Sequence, residues 1–467
     1  MKRKLNEAVQ TKEKSRQNPF RKIGVIFKEG DIFTRLSFVI MGLSNLVRKQ
    51  FVKGFIFLFG EFGFLFYMSV IGATALSHFD DLGEVQQGMV IDPVTMLPVK
   101  QPGDNSMLLL LAAVVAVFVV AAFVILWYCN VKAAITVQKL KEKNKPIPTF
   151  IDDIKSYFDC KIHRSLLLFP CLGILIFNIL PLIFMILIAF TNFDQKHQPP
   201  GNLFTWVGLS NFKTMLDAGS VIGKTFFPIL SWTFVWAVFA TFLNYIFGII
   251  LAMLINRKQT RIKRFWRTTF VLSIAIPQFV SLLVIKSMLA DNGPINVLLQ
   301  QIGLLGPKEF LPFLSNPLWA KITIIIINLW VGVPYTMLIT TGILQNIPQE
   351  LYESAKIDGA SAFRTFIKIT MPYMLFVTTP YLITQFVGNL NNFNVIFLLS
   401  GGGPTNLDYY QAGHTDLLVT WLYKLTVNSF DYSYASVIGI LVFVISAVIS
   451  LITYRSTKSY KDEEGFQ

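Results

Sequence analysis

Apolar residues in this chain are gathered into long, uninterrupted runs. Eight of them, Gly54 to Ser77, Met107 to Cys129, Leu166 to Phe190, Phe226 to Ile255, Phe270 to Ala290, Ile322 to Ile343, Met374 to Ser400 and Ser433 to Tyr454, are separated by charged or Gly- and Pro-bearing segments. A helix needs about 20 apolar residues to cross a hydrocarbon core of roughly 30 Å, and each run meets that length. Continuous rather than alternating apolarity excludes a transmembrane β-barrel. The pattern predicts an all-α, polytopic helical membrane protein with about eight transmembrane helices. It divides the chain into a tail with an interfacial helix (1–53), N-terminal membrane helices with an outer and a basic loop (54–165), a third span with a short outer segment (166–225), a core (226–454) and an end tail (455–467).

Between the runs, Ile32 to Val47 is apolar but broken by Arg35 and Asn45 and closed by Arg48 and Lys49. That fits a helix lying along the membrane surface, with a short first crossing as the alternative. Asp80 to Asn105 has strand-and-turn character. The polar hairpin PQELYESAKIDGASAFRTFIKITMP, Pro348 to Pro372, is more specific. Pro348 suits the first turn of a helix, and Gly359 stands where a helix ending at Asp358 needs a left-handed residue. Ser361 caps a second short helix, on which Phe363, Phe366, Ile367 and Thr370 share a face opposite Arg364 and Lys368, and Pro372 ends it. The small residues around Gly359 would let another protein's surface approach the backbone; an ordinary hairpin resting on the membrane fits the periodicity equally well.

Composition and charge narrow the class. With 467 residues, 53% hydrophobic, 43 Phe and only 15% charged, the chain is too apolar for a soluble protein. The net charge of +14 gathers in the first tail, the loop Lys132 to Arg164, the cluster Arg257, Lys258, Arg261, Lys263, Arg264 and Arg267, and the end Arg455, Lys458 and Lys461. This positive-inside distribution assigns both termini and the hairpin to the cytoplasm, and accounts for the charge without a nucleic-acid partner.

Candidate chemistry inside the runs is sparse. Glu61 is the single carboxylate in a proposed crossing: a proton relay is one reading, and a near-interface residue, hydrated or paired with a lysine, is the preferred one. Lys286 and Lys321 lie near run ends and can snorkel to headgroups. Ala218 to Thr225 reads AGSVIGKT, one residue from a phosphate-binding loop, but it precedes a membrane run without a strand before it, which argues against a nucleotide site. Cys129, Cys160 and Cys171 lack metal spacing, and His78, His163, His197 and His414 are scattered, so neither a metal site nor a catalytic constellation is predicted. Gln385, Asn389 and Asn392 recur at i, i+4, i+7 beside Gly388, a stripe that must face a cavity or another helix. Amides donate and accept together, which matches the paired hydroxyls of a neutral sugar; interhelical bonding is the competing role. Trp330, Gly332, Pro334 and Tyr335 open the preceding run near its middle, with an aromatic that could stack on a sugar face or simply pack.

In the hairpin, Glu353, Ser354 and Ala355, then Gly359 six residues after the Glu, Ile369 ten after the Gly, and Met371-Pro372, resemble the EAA loop of binding-protein-dependent ABC importer permeases, with Ser354 and Met371 as departures. From about Phe226 onward the chain looks like the F-type permease subunit of maltose/maltodextrin importers, including Gram-positive relatives. The resemblance implies a type I ABC importer permease fold in the cell membrane, and a transport component rather than an enzyme. ATP and Mg would be bound by a partner ATPase dimer, and no cofactor by this chain. It also implies a second permease subunit completing a heterodimer, an extracellular sugar-binding protein, for which Gln411 to Leu425 is a docking surface, and contact with membrane lipid. By matching motif, Gly332, Tyr335, Gln385, Gly388, Asn389 and Asn392 take sugar-contact positions for a maltodextrin-like oligosaccharide; Gln385 and Gly388 replace a Ser and a Phe of enterobacterial members. Glu353, Ser354, Ala355, Asp358, Gly359, Ile369 and Pro372 form the ATPase-coupling hairpin. Other oligosaccharides, of galacto-oligosaccharide or cyclodextrin type, and an ion-coupled secondary transporter using Glu61 are the alternatives.

Overall fold

The structure is a computed structural model that describes residues 19–456 apart from Thr95, Cys160, Lys161 and Lys258. Residues 1–18 of the expected tail, Cys160, Lys258 of the basic cluster, and Lys458 and Lys461 lie outside the described residues. The chain divides into two compact units, residues 1–187 with 197–206 and residues 188–196 with 207–467. Among the described residues, seven helices are long and apolar enough to cross a membrane, and a bent pair adds an eighth.

In the first unit, α1 (Pro19–Glu29), α2 (Ile32–Leu36) and α3 (Leu43–Val47) precede the long helices. The segment expected to be one surface helix is thus two short helices joined by a turn. Gly42, at φ +82, makes that turn, and a Cβ on it would stand 2.1 Å from the Gly54 carbonyl oxygen. Asp31 caps α2 by accepting the Thr34 N–H at 2.9 Å and pairs with Arg48 at 2.6 Å. The spanning helix α4 (Phe51–Ser77) carries Glu61, whose Oε2 accepts the Met41 N–H at 2.7 Å. The carboxylate therefore satisfies a backbone donor of the preceding turn, and it makes no lysine pair among the described residues.

Two exposed antiparallel strands, β1 (Gly88–Ile91) and β2 (Pro98–Gln101), give the Asp80–Asn105 loop the strand-and-turn form expected of it. Helix α5 (Ser106–Glu142) has 37 residues, about 55 Å at the α-helical rise, and runs well past the apolar stretch that ends at Cys129. Its extension is held by polar contacts: Asn130 accepts the Gly42 N–H at 2.8 Å and donates to the Ser37 carbonyl at 2.7 Å, and Gln138 accepts the Asp31 N–H at 3.0 Å. Buried backbone groups of the α2–α3 turn find their partners there. After α6 (Phe150–Phe158), α7 (Leu166–Ile188) tolerates Pro181 because a π turn, Leu175–Ile179, directly precedes Leu180-Pro181. A widened turn moves the carbonyl that the proline ring would strike and that its missing N–H would leave unpaired.

The second unit opens with α8 (Ser210–Leu216) and α9 (Val221–Asn256). Ser220 caps α9 by accepting the Gly223 N–H at 2.8 Å, so the AGSVIGKT stretch is a helix start rather than a phosphate cradle. The run expected as one span from Phe270 to Ala290 is two helices, α10 (Lys263–Ala275) and α11 (Gln278–Met288), at 88° to each other. Pro277 sits at the break and Ile276 before it is extended, as residues ahead of proline tend to be. Then follow α12 (Pro294–Gln301), α13 (Pro317–Leu344), α14 (Gln349–Ile357), α15 (Ala362–Leu390), α16 (Phe393–Leu399), α17 (Leu418–Val427) and α18 (Tyr432–Ser456).

Pro372 does not end the hairpin's second helix. A π turn, Phe366–Thr370, precedes Met371-Pro372 as it does in α7, and α15 continues through the proline to Leu390. Lys321 does not reach outward either: its Nζ lies 4.8 Å from the Trp232 ring centroid. The Gln411–Leu425 stretch is mostly interior, with Trp421 and Asp416 both fully buried, and this overturns its expected role as a docking surface. Asp416 Oδ2 accepts from Lys424 Nζ at 2.6 Å and from the Gly413 N–H at 2.7 Å, and Trp421 Nε1 donates to the Tyr410 carbonyl at 2.8 Å, so these residues knit the fold.

Candidate functional site

Three long helices of the second unit, α9, α13 and α15, pack side by side, and polar residues interrupt their apolar faces at the same level. Close approach of α9 and α13 depends on glycine at two points. A Cβ on Gly332 would fall 2.1 Å from Asn244 Nδ2, and one on Gly248 would fall 2.7 Å from Thr336 Cβ. Across the packed faces, Tyr245 and Thr378 hydroxyls lie 2.5 Å apart, and Thr336 and Tyr381 hydroxyls 3.5 Å apart. Thr340, fully buried, donates to the Thr336 carbonyl at 2.8 Å.

Of the six residues expected to touch sugar, the structure joins two directly. Asn392 Nδ2 donates to Asn389 Oδ1 at 3.3 Å, and Asn389 Nδ2 donates to Thr241 Oγ1 of α9 at 3.0 Å. Their geometry differs from the expected stripe. Helix α15 stops at Leu390, and Asn392 is the N-cap of α16, accepting the Val395 N–H at 3.3 Å. Asparagine is a strong capping residue, and its cap bond competes with continued helix. Gln385 is half-buried, and Gly388 has open space where a Cβ would be. Tyr335 is 49% exposed, and neither it nor Gln385 hydrogen-bonds to another described residue. Gly332 lies against Asn244 instead of facing open space.

Sequence reasoning missed Thr241, Asn244 and Asn328. Asn328 is buried, one turn from Gly332, and neither its Nδ2 nor Asn244 Oδ1 has a hydrogen-bond partner among the described residues. Unsatisfied buried amides cost about 1–3 kcal/mol each, which makes them candidates for a ligand's hydroxyls. An Asn within an apolar run was the available signal. Among the described residues no group of His, Cys, Asp and Glu could hold a metal ion.

The hairpin forms a second candidate surface. Glu353, Ser354, Asp358 and Gly359 are exposed, and Gly359, at φ +69, turns the chain with nothing within 4 Å of a Cβ position. Ala355 is buried and accepts the Ala360 N–H at 2.8 Å through its carbonyl, while Ile369 packs with Tyr245, Ile249 and Met374. Tyr352 and Thr370 hydroxyls, 3.0 Å apart, tie the two arms together. Pro372 is exposed too, but it lies within α15 and not in the turn. Ile357 and Phe363, 86% and 72% exposed, protrude from it; Phe363 was expected on the apolar face of the second helix, and Ile357 was not singled out in sequence.

Residues 244–461 match the family described as binding-protein-dependent transport system inner membrane component. The galactooligosaccharides transport system permease protein GanP of Bacillus subtilis (strain 168) is 37% identical over 428 residues, covering 91% of this chain and 97% of that one. The maltodextrin transport system permease protein MalC of Streptococcus pneumoniae serotype 4 (strain ATCC BAA-334 / TIGR4) is 35% identical over 438 residues, covering 91% and 96%. Among solved structures, a chain of the bacterial alginate ABC transporter in complex with alginate pentasaccharide-bound periplasmic protein superposes with a TM-score of 0.51 at 22% identity, over 67% of this chain and 98% of that one. That likeness concerns the fold.

Proposed function

The chain belongs to the family of binding-protein-dependent transport system inner membrane components, and from that premise we propose that it is the permease subunit of an ATP-driven importer of neutral oligosaccharides, with maltodextrin as substrate. It is integral to the membrane, forms half of the translocation path and leaves ATP hydrolysis, with its Mg, to a separate ATPase dimer. A second permease completes the path, and an extracellular sugar-binding protein delivers cargo. Both termini and the hairpin face the cytoplasm of a Gram-positive cell, in keeping with the basic clusters on that side.

One observation carries the reading: three packed spanning helices converge on the amides of Asn389, Asn392, Asn244 and Asn328, two of which keep an unpaired polar atom. Amides of this kind recognise hydroxyls without charge, and Tyr335, half exposed and three residues after Gly332, offers a face for stacking. The exposed turn at Glu353, Ser354, Asp358 and Gly359 supports ATPase contact, and Ala355, Ile369 and Pro372 support the shape of that turn. Glu61, which holds the Met41 N–H, gives no support to ion coupling.

Galactooligosaccharide is the second reading, because the relative of that name matches at 37% identity against 35% for the maltodextrin relative. The test reconstitutes the chain with its partners and measures ATPase stimulation across maltodextrins and galactosides. Maltodextrin stimulation lost in the Tyr335→Ala/Asn389→Ala variant supports the proposal. Stimulation by galactosides alone selects the second reading, and uptake abolished by Glu61→Gln refutes both.

A further inference from the structure

Helices α9, α10, α11 and α13 wall an apolar groove of about 810 Å³ whose lining includes Phe247, Leu251, Leu254, Phe270, Trp330 and Pro334. At one end α9 finishes at Asn256, whose carbonyl accepts Lys263 Nζ at 3.0 Å and whose side-chain oxygen accepts Arg267 Nη2. These bonds fix two cations just past Leu254. Arg267 shares a face of α10 with Phe270, three residues on, so the guanidinium stands at the mouth of the groove. Its Nε is buried without a partner among the described residues. With Arg257, Arg261 and Arg264 they form a collar of five cations, none of which makes an ion pair among the described residues.

The collar is also unfavourable as it stands. Helix α10 begins with Lys263 and Arg264, has no acidic residue in its first turn, and its N-cap Ile262 supplies no side-chain acceptor. Cations at a helix N-terminus oppose the helix dipole, and an anion would relieve both. Phe265 and Trp266 beside them are 57% and 45% exposed, as aromatic residues at headgroup level are.

We propose that this groove holds one anionic phospholipid from the leaflet on the collar side, its acyl chain along the groove and its phosphate on Lys263, Arg264 and Arg267. The lining of α9 runs from Phe247 to Leu254, about 10 Å along the helix axis and ending just before Asn256, within the roughly 15 Å depth of the leaflet on the collar side, and the lining of α13 continues the groove toward the middle of the membrane.

The complex of this chain with its partner subunits, equilibrated with vesicles of equal phosphatidylglycerol and phosphatidylcholine, is read by native mass spectrometry for retained lipid. Wild type should keep one phosphatidylglycerol in preference to phosphatidylcholine, and Arg267→Lys should keep it too. Each cation neutralised in Lys263→Gln/Arg264→Gln/Arg267→Gln should weaken retention about fivefold, on the order of 100-fold for the three. Ser273→Trp, which fills the groove and leaves the collar intact, should also lose the lipid, and decides the matter if the triple variant fails to assemble. Equal retention of both lipids, equal retention by wild type, the triple variant and Ser273→Trp, or a photocrosslinker at position 273 that captures a partner subunit would overturn the proposal. The readout counts lipid and not transport, so it stands or falls apart from the identity of the sugar.

Discussion

Gly332→Ala tests the contact between α9 and α13 on which the amide cluster rests. The new Cβ would lie 2.1 Å from Asn244 Nδ2 and 2.4 Å from its Cγ, more than 1 Å inside the roughly 3.5 Å of an ordinary contact. Overpacking of this kind costs about 1–3 kcal/mol. Asn244 is a side chain and can in principle swing aside, but its Oδ1 is already buried without a partner, so displacement strands the amide further. In an Asn244→Ala background the obstruction is gone and only backbone preference remains. There the glycine-to-alanine change in mid-helix should be neutral or stabilising by up to about 1 kcal/mol. The effect of one substitution thus reverses sign with the identity of a residue 88 positions away in sequence. Denaturant unfolding of the four purified forms in detergent gives the coupling energy, expected at about 1–3 kcal/mol. Equal costs for Gly332→Ala in both backgrounds would refute the reasoning, since the contact would then not be what demands glycine.

Gly359→Leu should cost about 1–2 kcal/mol through its φ of +69, with Gly359→Asn milder because asparagine tolerates that region, and nothing near the site adds a clash. ATP-driven uptake in vesicles should fall sharply for Leu and little for Asn; equal activity of the two would sink the hairpin's role. Lys424→Met strips the partner from fully buried Asp416 and should destabilise by about 3–5 kcal/mol, with Asp416→Asn/Lys424→Met recovering much of it in thermal unfolding. Burial, then the Lys321 ammonium, holds the His414 imidazole below its ordinary pKa. The unfolded chain therefore binds the proton more readily, so this contribution to stability is complete above about pH 6.5 and is lost as pH falls through the native value. Wild type should lose melting temperature more steeply below pH 6.5 than His414→Gln, and parallel slopes would contradict that.

Run length alone made the spanning helices legible, because a membrane demands about 20 apolar residues whatever the surroundings. Breaks were not legible, because proline has several outcomes in such runs. Pro170, Pro228, Pro334 and Pro380 lie inside helices, while Pro277 marks an 88° bend. The neighbours decide, and they are distant in sequence. Asn389 and Asn392 were legible as polar intruders, but their spacing suggested one helix face where the structure has a helix end and a new cap. Thr241 was silent, since a threonine in a membrane helix commonly bonds its own preceding turn, as Thr233 does here. Pro372 is the most instructive miss. Read as a stop, it separates the hairpin from the span; with the π turn before it, α15 runs 29 residues, about 43 Å, from just after Ser361 to Leu390. One continuous helix therefore carries Phe363 of the exposed hairpin at one end and Asn389 of the amide cluster at the other. Movement imposed on the first has a direct mechanical route to the second, and that route exists because the proline is accommodated.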